Sequence, residues 1–259
     1  MSGLPDFSAV TELPGSPATQ SQLARLAQRY HFAAERTRDK RVLEVACGAG
    51  LGLGWVAERS RLVVGGDCTE RLLGLAKGHY GAQLALVRLD AHALPFAEAA
   101  FDALLLFEAA YYLADLQRFL REGRRVLTQQ GLLMISSVNP EWAGFSRSSF
   151  STKYASLSRL GDFVEQAGFT NCEYYGGFPT IEGTRRDRIV EAMRGVAAKL
   201  HLIPKTLETR ALLKRLVYGR TLKLPPAITS GLVEVPPVQA TSCGANRTHQ
   251  IVYVVATKA

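Results

Sequence analysis

The 259-residue chain encodes an α/β protein built on a doubly wound, mostly parallel sheet. Two observations carry that reading. Short apolar runs rich in Val, Leu and Ile recur between segments of helical periodicity, as expected of strands covered on both faces. The first of these runs opens into a glycine-rich turn, VLEVACGAGLGLG (42–54), at the end of a strand where such sheets receive their ligands.

After a polar leader, residues 19–38 place Leu23, Leu26, Ala27, Tyr30 and Ala34 at helical spacing. RVLEVAC (41–47) is a buried strand, and a helix begins over 52–59. RLVVGGD (61–67) is the second strand, after which Thr69 is placed to cap the helix TERLLGLAKGHY through its hydroxyl. LALVRLD (84–90) and FDALLLFEA (101–109) are the third and fourth strands, LADLQRFLREGRRVL (113–127) is a helix, and GLLMISSV (131–138) is the fifth strand. Beyond Asn139 the aromatic, polar stretch NPEWAGFSRSSFSTKY suits a loop across the mouth of a site, with Trp142, Phe145, Phe150 and Tyr154 as its aromatic cover. A helix over 156–169 ending at Gly168, a sixth strand NCEYYGGFP and a closing strand HQIVYVVATK (249–258) complete the pattern. The organisation expected is a flexible leader (1–18), a catalytic domain (19–178 plus 249–259) and a basic, largely helical insertion (179–248).

Composition excludes several classes. At 47% hydrophobic and 21% charged residues the chain reads as an ordinary globular protein. It has no apolar run of membrane-spanning length, and its first residues lack the basic and apolar regions of a secretory signal. Cys47, Cys68, Cys172 and Cys243 form no CxxC pair and no tight cluster, so a reduced, cytoplasmic protein without structural zinc is expected.

The glycine turn reads Gly48-Ala49-Gly50-Leu51-Gly52, or G-x-G-x-G, not the G-x-G-x-x-G that seats a dinucleotide pyrophosphate. Glu44 lies four residues before the first glycine, where its charge would repel a pyrophosphate and attract an ammonium group. Asp67 ends the second strand, placed to accept from ribose hydroxyls, and Asp90 ends the third, placed to accept from an adenine amino group while the Ala91 N–H donates to the ring. Acids late in three successive strands suit S-adenosylmethionine, a positively charged nucleoside with an amino-acid tail.

With VLEVACGAG, GGD, LDAHALPF and FDALLLFEAAYYL followed by GLLMISS, the chain resembles the class I S-adenosylmethionine-dependent methyltransferases that act on small molecules. The resemblance spans residues 20–178 plus the last strand. It implies a Rossmann-like seven-stranded sheet with an antiparallel last strand, and S-adenosylmethionine as cofactor. It places Glu44, Cys47, Gly48, Ala49, Gly50 and Gly52 on the methionine portion, Asp67 on the ribose with Cys68 beside the adenine, Asp90 and Ala91 on the adenine, and Phe107 and Glu108 on the methyl side. Transfer to a hydroxyl oxygen needs a proton acceptor, for which Glu108, His31 and His92 are the candidates, with Tyr112 to orient the acceptor.

Eleven Lys or Arg lie between Arg185 and Lys223 against Asp187, Glu191 and Glu208, so the net charge of +8 belongs to this one region. Such a segment suits a solvated helical face, an anionic acceptor or a membrane surface. Tyr218 is its only aromatic residue, which disfavours a nucleic-acid partner. YGGFP (175–179), the Arg-rich helix and LIPKTLETRALLKRLVYG look similar to methyltransferases of surface-polysaccharide and glycan clusters, which implies a small-molecule or carbohydrate acceptor.

Overall fold

The computed structural model describes residues 5–180 and 221–259. Helix α1 (Gln20–Arg36) follows a two-residue strand β1 (Pro17–Ala18) and opens on a reciprocal cap: the Gln22 N–H donates to Thr19 Oγ1 and the Thr19 N–H to Gln22 Oε1. Then come β2 (Arg41–Val45), α2 (Leu53–Ala57), β3 (Leu62–Asp67), α3 (Glu70–Tyr80), β4 (Ala85–Arg88) and β5 (Phe101–Phe107). They are followed by α4 (Leu116–Val126), β6 (Leu127–Val138), α5 (Leu157–Gln166), β7 (Phe169–Pro179), the short β8 (Leu222–Lys223) and β9 (Gln239–Ala240), and β10 (His249–Lys258). Asp115 and Ser156 cap α4 and α5 by accepting from the Arg118 and Arg159 N–H groups.

The main sheet runs β4-β3-β2-β5-β6-β10-β7-β9. The first five strands in that order are parallel, and β10 inserts antiparallel between β6 and β7. The seven long strands are those read from the sequence. The eighth, β9, is a two-residue edge strand from the segment assigned to the insertion. Of that segment, residues 221–248 hold β8, β9 and irregular chain, while the helical readings around 184–201 and 205–218 lie outside the described residues.

Two cores lie on opposite faces. One packs α1, α2 and α3 against the sheet and includes Leu224 and Ile228; the other packs α4 and α5. Leu104, Leu105 and Leu106 of β5 are fully buried, which is why that strand reads as an unbroken apolar run. Each such side chain contributes about 1.5–3 kcal/mol relative to exposure. Val42 belongs to the α1 side and Leu43 and Val45 to the other, so alternation turns Glu44 towards α1.

The expected cap at Thr69 is corrected. Its side chain makes no cap bond to α3; Thr69 Oγ1 accepts instead from the Phe7 N–H at 3.1 Å. The hydroxyl serves the chain's N-terminal segment, which runs across the carboxyl ends of the strands. That segment is fastened further by the Glu12–Arg29 ion pair (2.7 Å) and by β1, which pairs with β8. The second helix is also shorter than expected, ending at Ala57, and β6 begins at Leu127, before its apolar run, with a register shift where it meets β5.

Candidate functional site

The chain runs from β2 to β3 to β4 on one side of the sheet and then returns to place β5 on the other side of β2. A cavity of about 560 Å³ opens at this reversal, beyond the carboxyl ends of the strands. Its wall is made by residues 45–49 after β2, Asp67 and Cys68 after β3, 89–92 after β4 and 107–109 after β5. The remaining wall comes from α1 (Gln22, Arg25, Leu26, Arg29, Tyr30), the N-terminal segment and the loop after β6.

Two of these strand tips turn sharply. Ala46 (φ 59°) and Glu108 (φ 54°), each just past its strand, occupy the left-handed region that side chains avoid, at a cost of about 1–3 kcal/mol each. Gly48 (φ 57°) and Gly50 (φ 73°) continue the first turn with the conformational freedom it demands.

The three strand-end acids have different surroundings. Asp67 is buried and accepts from the Gly48 N–H (2.9 Å) and the Thr69 N–H (2.7 Å), so it ties the glycine turn to the next strand while lining the cavity. Burial raises its pKa, and these backbone donors oppose the rise. Asp90 also lines the cavity; burial raises its pKa, but the His92 backbone and ring donors outweigh that and hold it below the ordinary value. Glu44 is not on the wall. It is 1% exposed, accepts from Tyr30 Oη at 2.6 Å, and leaves Oε2 without a hydrogen-bond partner. Burial pushes its carboxyl up to about 7, against the Tyr30 hydrogen bond and the Arg29 charge.

Other predicted residues divide likewise. Cys47, Gly48, Ala49, Cys68, Ala91 and Phe107 line the cavity; Gly50 and Gly52 do not. Gly50 O accepts from Tyr80 Oη (2.8 Å), and a Cβ on Gly52 would stand 2.1 Å from the Tyr30 ring. These glycines position the wall from behind.

Glu108 lines the cavity, and its carboxyl accepts from Tyr111 Oη (3.2 Å) and Ser136 Oγ (3.4 Å). Desolvation raises its pKa against the field of Arg29. Tyr112 shares a 2.6 Å hydrogen bond with Ser148 and meets the Phe7 ring at 5.3 Å. His92 lines the cavity with both ring nitrogens engaged: the Asp115 N–H donates to Nε2, so Nδ1 carries the proton and donates to Asp90. His31 stands apart from the cavity. One residue on from Tyr30 rotates it by about 100° around the helix, and its ring packs on Trp55 at 5.7 Å. In the post-β6 loop, Tyr154 reaches the cavity and stacks on Tyr111 at 4.2 Å, Phe145 supports it, Trp142 is buried and Phe150 faces solvent.

Arg29, Tyr30, Phe7 and Glu12 are site residues that sequence reasoning passed over. Arg29 faces the cavity with Nε unpartnered; burial opposes its charge, yet the Glu12 carboxylate holds it firmly protonated. Tyr30 reads in the sequence as one apolar position of an amphipathic helix. Among the described residues no group of three or more His, Cys, Asp or Glu is arranged to hold a metal ion, and no helix is long and apolar enough to cross a membrane.

The methyltransferase-domain family matches residues 43–135, the span from β2 into β6 that builds most of the cavity wall. A probable S-adenosylmethionine-dependent methyltransferase of Mycobacterium tuberculosis is 29% identical over 153 residues, 58% of this chain and 56% of that protein. Over residues 43–135 the chain carries a methyltransferase domain, and it is similar to S-adenosylmethionine-dependent methyltransferases. The fold agrees: an S-adenosylmethionine-dependent methyltransferase from Thermotoga maritima superposes with a TM-score of 0.59 at 17% identity, covering 92% of each chain. A fatty-acid O-methyltransferase of Mycolicibacterium smegmatis is 33% identical over 135 residues, 49% of each chain. The chain thus spans about half the length of these curated relatives.

S-adenosylmethionine is the cofactor of this methyltransferase family, and the cavity fits it in kind. Asp67, Asp90 and Glu108 on the wall, with Glu44 behind it, suit a cation with hydroxyl and amino donors. Arg29 suits the carboxylate of its amino-acid tail. The unpartnered Arg29 Nε is the polar atom expected beside that carboxylate, while Glu44 Oε2, also unpartnered, lies behind Tyr30.

Proposed function

We propose that the chain transfers a methyl group from S-adenosylmethionine to a hydroxyl oxygen of a small-molecule acceptor. The observation that carries this reading is a single cavity walled by Asp67, Asp90 and Glu108 at the tips of β3, β4 and β5, with Arg29 facing them from α1. When bound, S-adenosylmethionine supplies an electrophilic methyl group on a sulfonium that is already a good leaving group. In this proposal Asp67 holds the ribose, and Asp90 with the Ala91 N–H holds the adenine. Arg29 holds the amino-acid carboxylate, and Glu108 faces the ammonium and methyl side.

The chain's own task is then alignment and water exclusion. The N-terminal segment, fixed through Phe7 and Glu12, covers the cavity, and Tyr111, Tyr112 and Tyr154 wall the acceptor side. Glu108, desolvated and raised in pKa, accepts the acceptor's proton as attack proceeds, and Tyr112 with Ser148 orients the hydroxyl. Relatives named for oxygen methylation, among them the fatty-acid O-methyltransferase, support an oxygen acceptor. A carbohydrate acceptor, and contact of residues 185–223 with anionic groups or a membrane surface, belong to the same proposal.

The test combines calorimetric titration with transfer assays. S-adenosylhomocysteine should bind and NADH should not; the reverse result would end the cofactor assignment. Radiolabelled S-adenosylmethionine should then mark an acceptor in libraries separated into sugars, phenols and lipids. Binding without transfer to any of them would leave a noncatalytic S-adenosylmethionine-binding protein as the better reading.

A further inference from the structure

Two cysteines unconnected with the cavity stand together at the far edge of the sheet. There β9 pairs antiparallel with β7, Tyr175 opposite Ala240 and Gly176 opposite Gln239. The Thr241 N–H donates to Tyr174 O at 2.9 Å, which keeps the same count one residue further. Continued by two residues, that count sets Cys243 opposite Cys172. Side chains lead to the same place. Cys172 and Tyr174, two apart on β7, share a face, and the Cys172 and Cys243 thiols both lie near enough to the Tyr174 hydroxyl, which donates to Glu165 Oε1 at 3.0 Å, to add to the burial that raises its pKa.

Both thiols are free and partly exposed. Opposed residues of an antiparallel pair have Cα atoms about 4.5–5.5 Å apart, inside the range of about 4.4–6.8 Å that a disulfide spans. The other cysteines offer no rival partner. Cys47 is buried in the cavity wall and Cys68 follows β3, five strands across the sheet from β7.

We propose that Cys172 and Cys243 form a reversible disulfide that clasps residues 236–243 to the sheet. The oxidant is a low-molecular-weight disulfide. One protein thiolate attacks its S–S bond and expels one thiol, leaving a mixed disulfide. The second thiolate attacks the protein sulfur of that intermediate and expels the other thiol. Two protein thiols are oxidised, and the oxidant's S–S bond is reduced to two thiols.

The clasp reaches the candidate site through the segment it holds. The Pro236 and Pro237 carbonyls accept from Gln28 Nε2 at 2.7 and 3.4 Å, and Gln239 Oε1 meets His249 Nε2 at 3.1 Å. Gln28 adjoins Arg29 and Tyr30 on α1. Without the covalent bond, hydrogen bonds, the packing of Val238 on the core and a two-residue strand hold the segment; with it, residues 172–243 become a closed loop whose unfolded state is restricted.

The test treats the full chain with oxidised glutathione or with dithiothreitol. The oxidised protein should lose about 2 Da and yield a Cys172–Cys243 cross-linked peptide. It should melt about 5 °C or more higher, and dithiothreitol should reverse the gain. Cys172→Ser and Cys243→Ser should each prevent the cross-link while melting like the reduced protein. A bond joining any other pair, glutathione adducts at Cys172 or Cys243 without an internal bond, or a cross-linked protein with an unchanged melting temperature would each overturn the proposal.

Discussion

Tyr30 closes the cavity wall over Glu44: its phenol donates to Glu44 Oε1 at 2.6 Å, and its ring, not the carboxylate, faces the cavity. The first strand-end acid is therefore a support behind the wall. It fixes Tyr30 and adds negative potential without itself meeting a ligand in the cavity.

Glu44 should make the ligand-free protein pH-sensitive. Burial raises its carboxyl from an ordinary 4.5 to about 7 in the fold. Its neutral form contributes stability that is fully present below the unfolded value and is lost as pH rises through about 7, a loss of about 3 kcal/mol by pH 8. Glu44→Gln keeps an oxygen for Tyr30 and cannot ionise. The variant should melt with the wild type near pH 5 and above it at pH 8; coincident melting at both would mean that Glu44 titrates normally. Its affinity for S-adenosylhomocysteine should fall by less than about tenfold, since no direct hydrogen bond is removed. A hundredfold loss would place the carboxylate on the ligand.

Asp67 is expected to do two jobs, and its variant should show both. Asp67→Asn puts an amide NH₂ where one of the Gly48 and Thr69 N–H groups needs an acceptor. The fold should lose about 1–3 kcal/mol, and S-adenosylhomocysteine affinity should drop more than about tenfold. Thermal melts and calorimetry on one preparation separate the two effects. Undiminished affinity in a destabilised variant would leave Asp67 a purely structural acid.

Much of this was legible in the sequence because the signals were local. Apolar β runs, the glycine turn and acids at fixed places after strands follow from residues within a few positions of one another, so the seven long strands and the wall at Asp67 and Asp90 could be read directly. What escaped depends on contacts far apart in the chain. Thr69 looks like a helix cap until Phe7, 62 residues away, claims its hydroxyl. Glu44 looks like a ligand contact until Tyr30 covers it, and nothing local marks Arg29 until the N-terminal segment brings Glu12 to it.

Gly52 illustrates the same point as a test. The family resemblance places it on the methionine portion, yet a Cβ there would lie 2.1–2.2 Å from the Tyr30 ring. Gly52→Ala should displace that ring, cost about 1–3 kcal/mol and weaken S-adenosylhomocysteine binding. Combining it with Tyr30→Ala removes the clash, so the double variant should be more stable than the sum of the single losses implies. Simple additivity would show that the ring is not what Gly52 accommodates.

His92 separates the two remaining proposals for a proton acceptor. Its Nε2 lone pair is occupied by the Asp115 N–H and its Nδ1 proton by Asp90, so the imidazole has no free site with which to take a proton from an acceptor. Glu108, by contrast, opens on the cavity with its pKa raised by desolvation. His92→Asn should therefore keep methyl transfer within about fivefold, whereas Glu108→Gln should lower it by about 10²–10⁴, the usual contribution of a general base. The pH profile is the sharper readout. Activity should rise with pH through a raised carboxylate value as Glu108 ionises, and that limb should persist in His92→Asn and vanish in Glu108→Gln. If the limb vanishes with His92 instead, the histidine is the base and its hydrogen bonds to Asp90 and Asp115 must break during turnover.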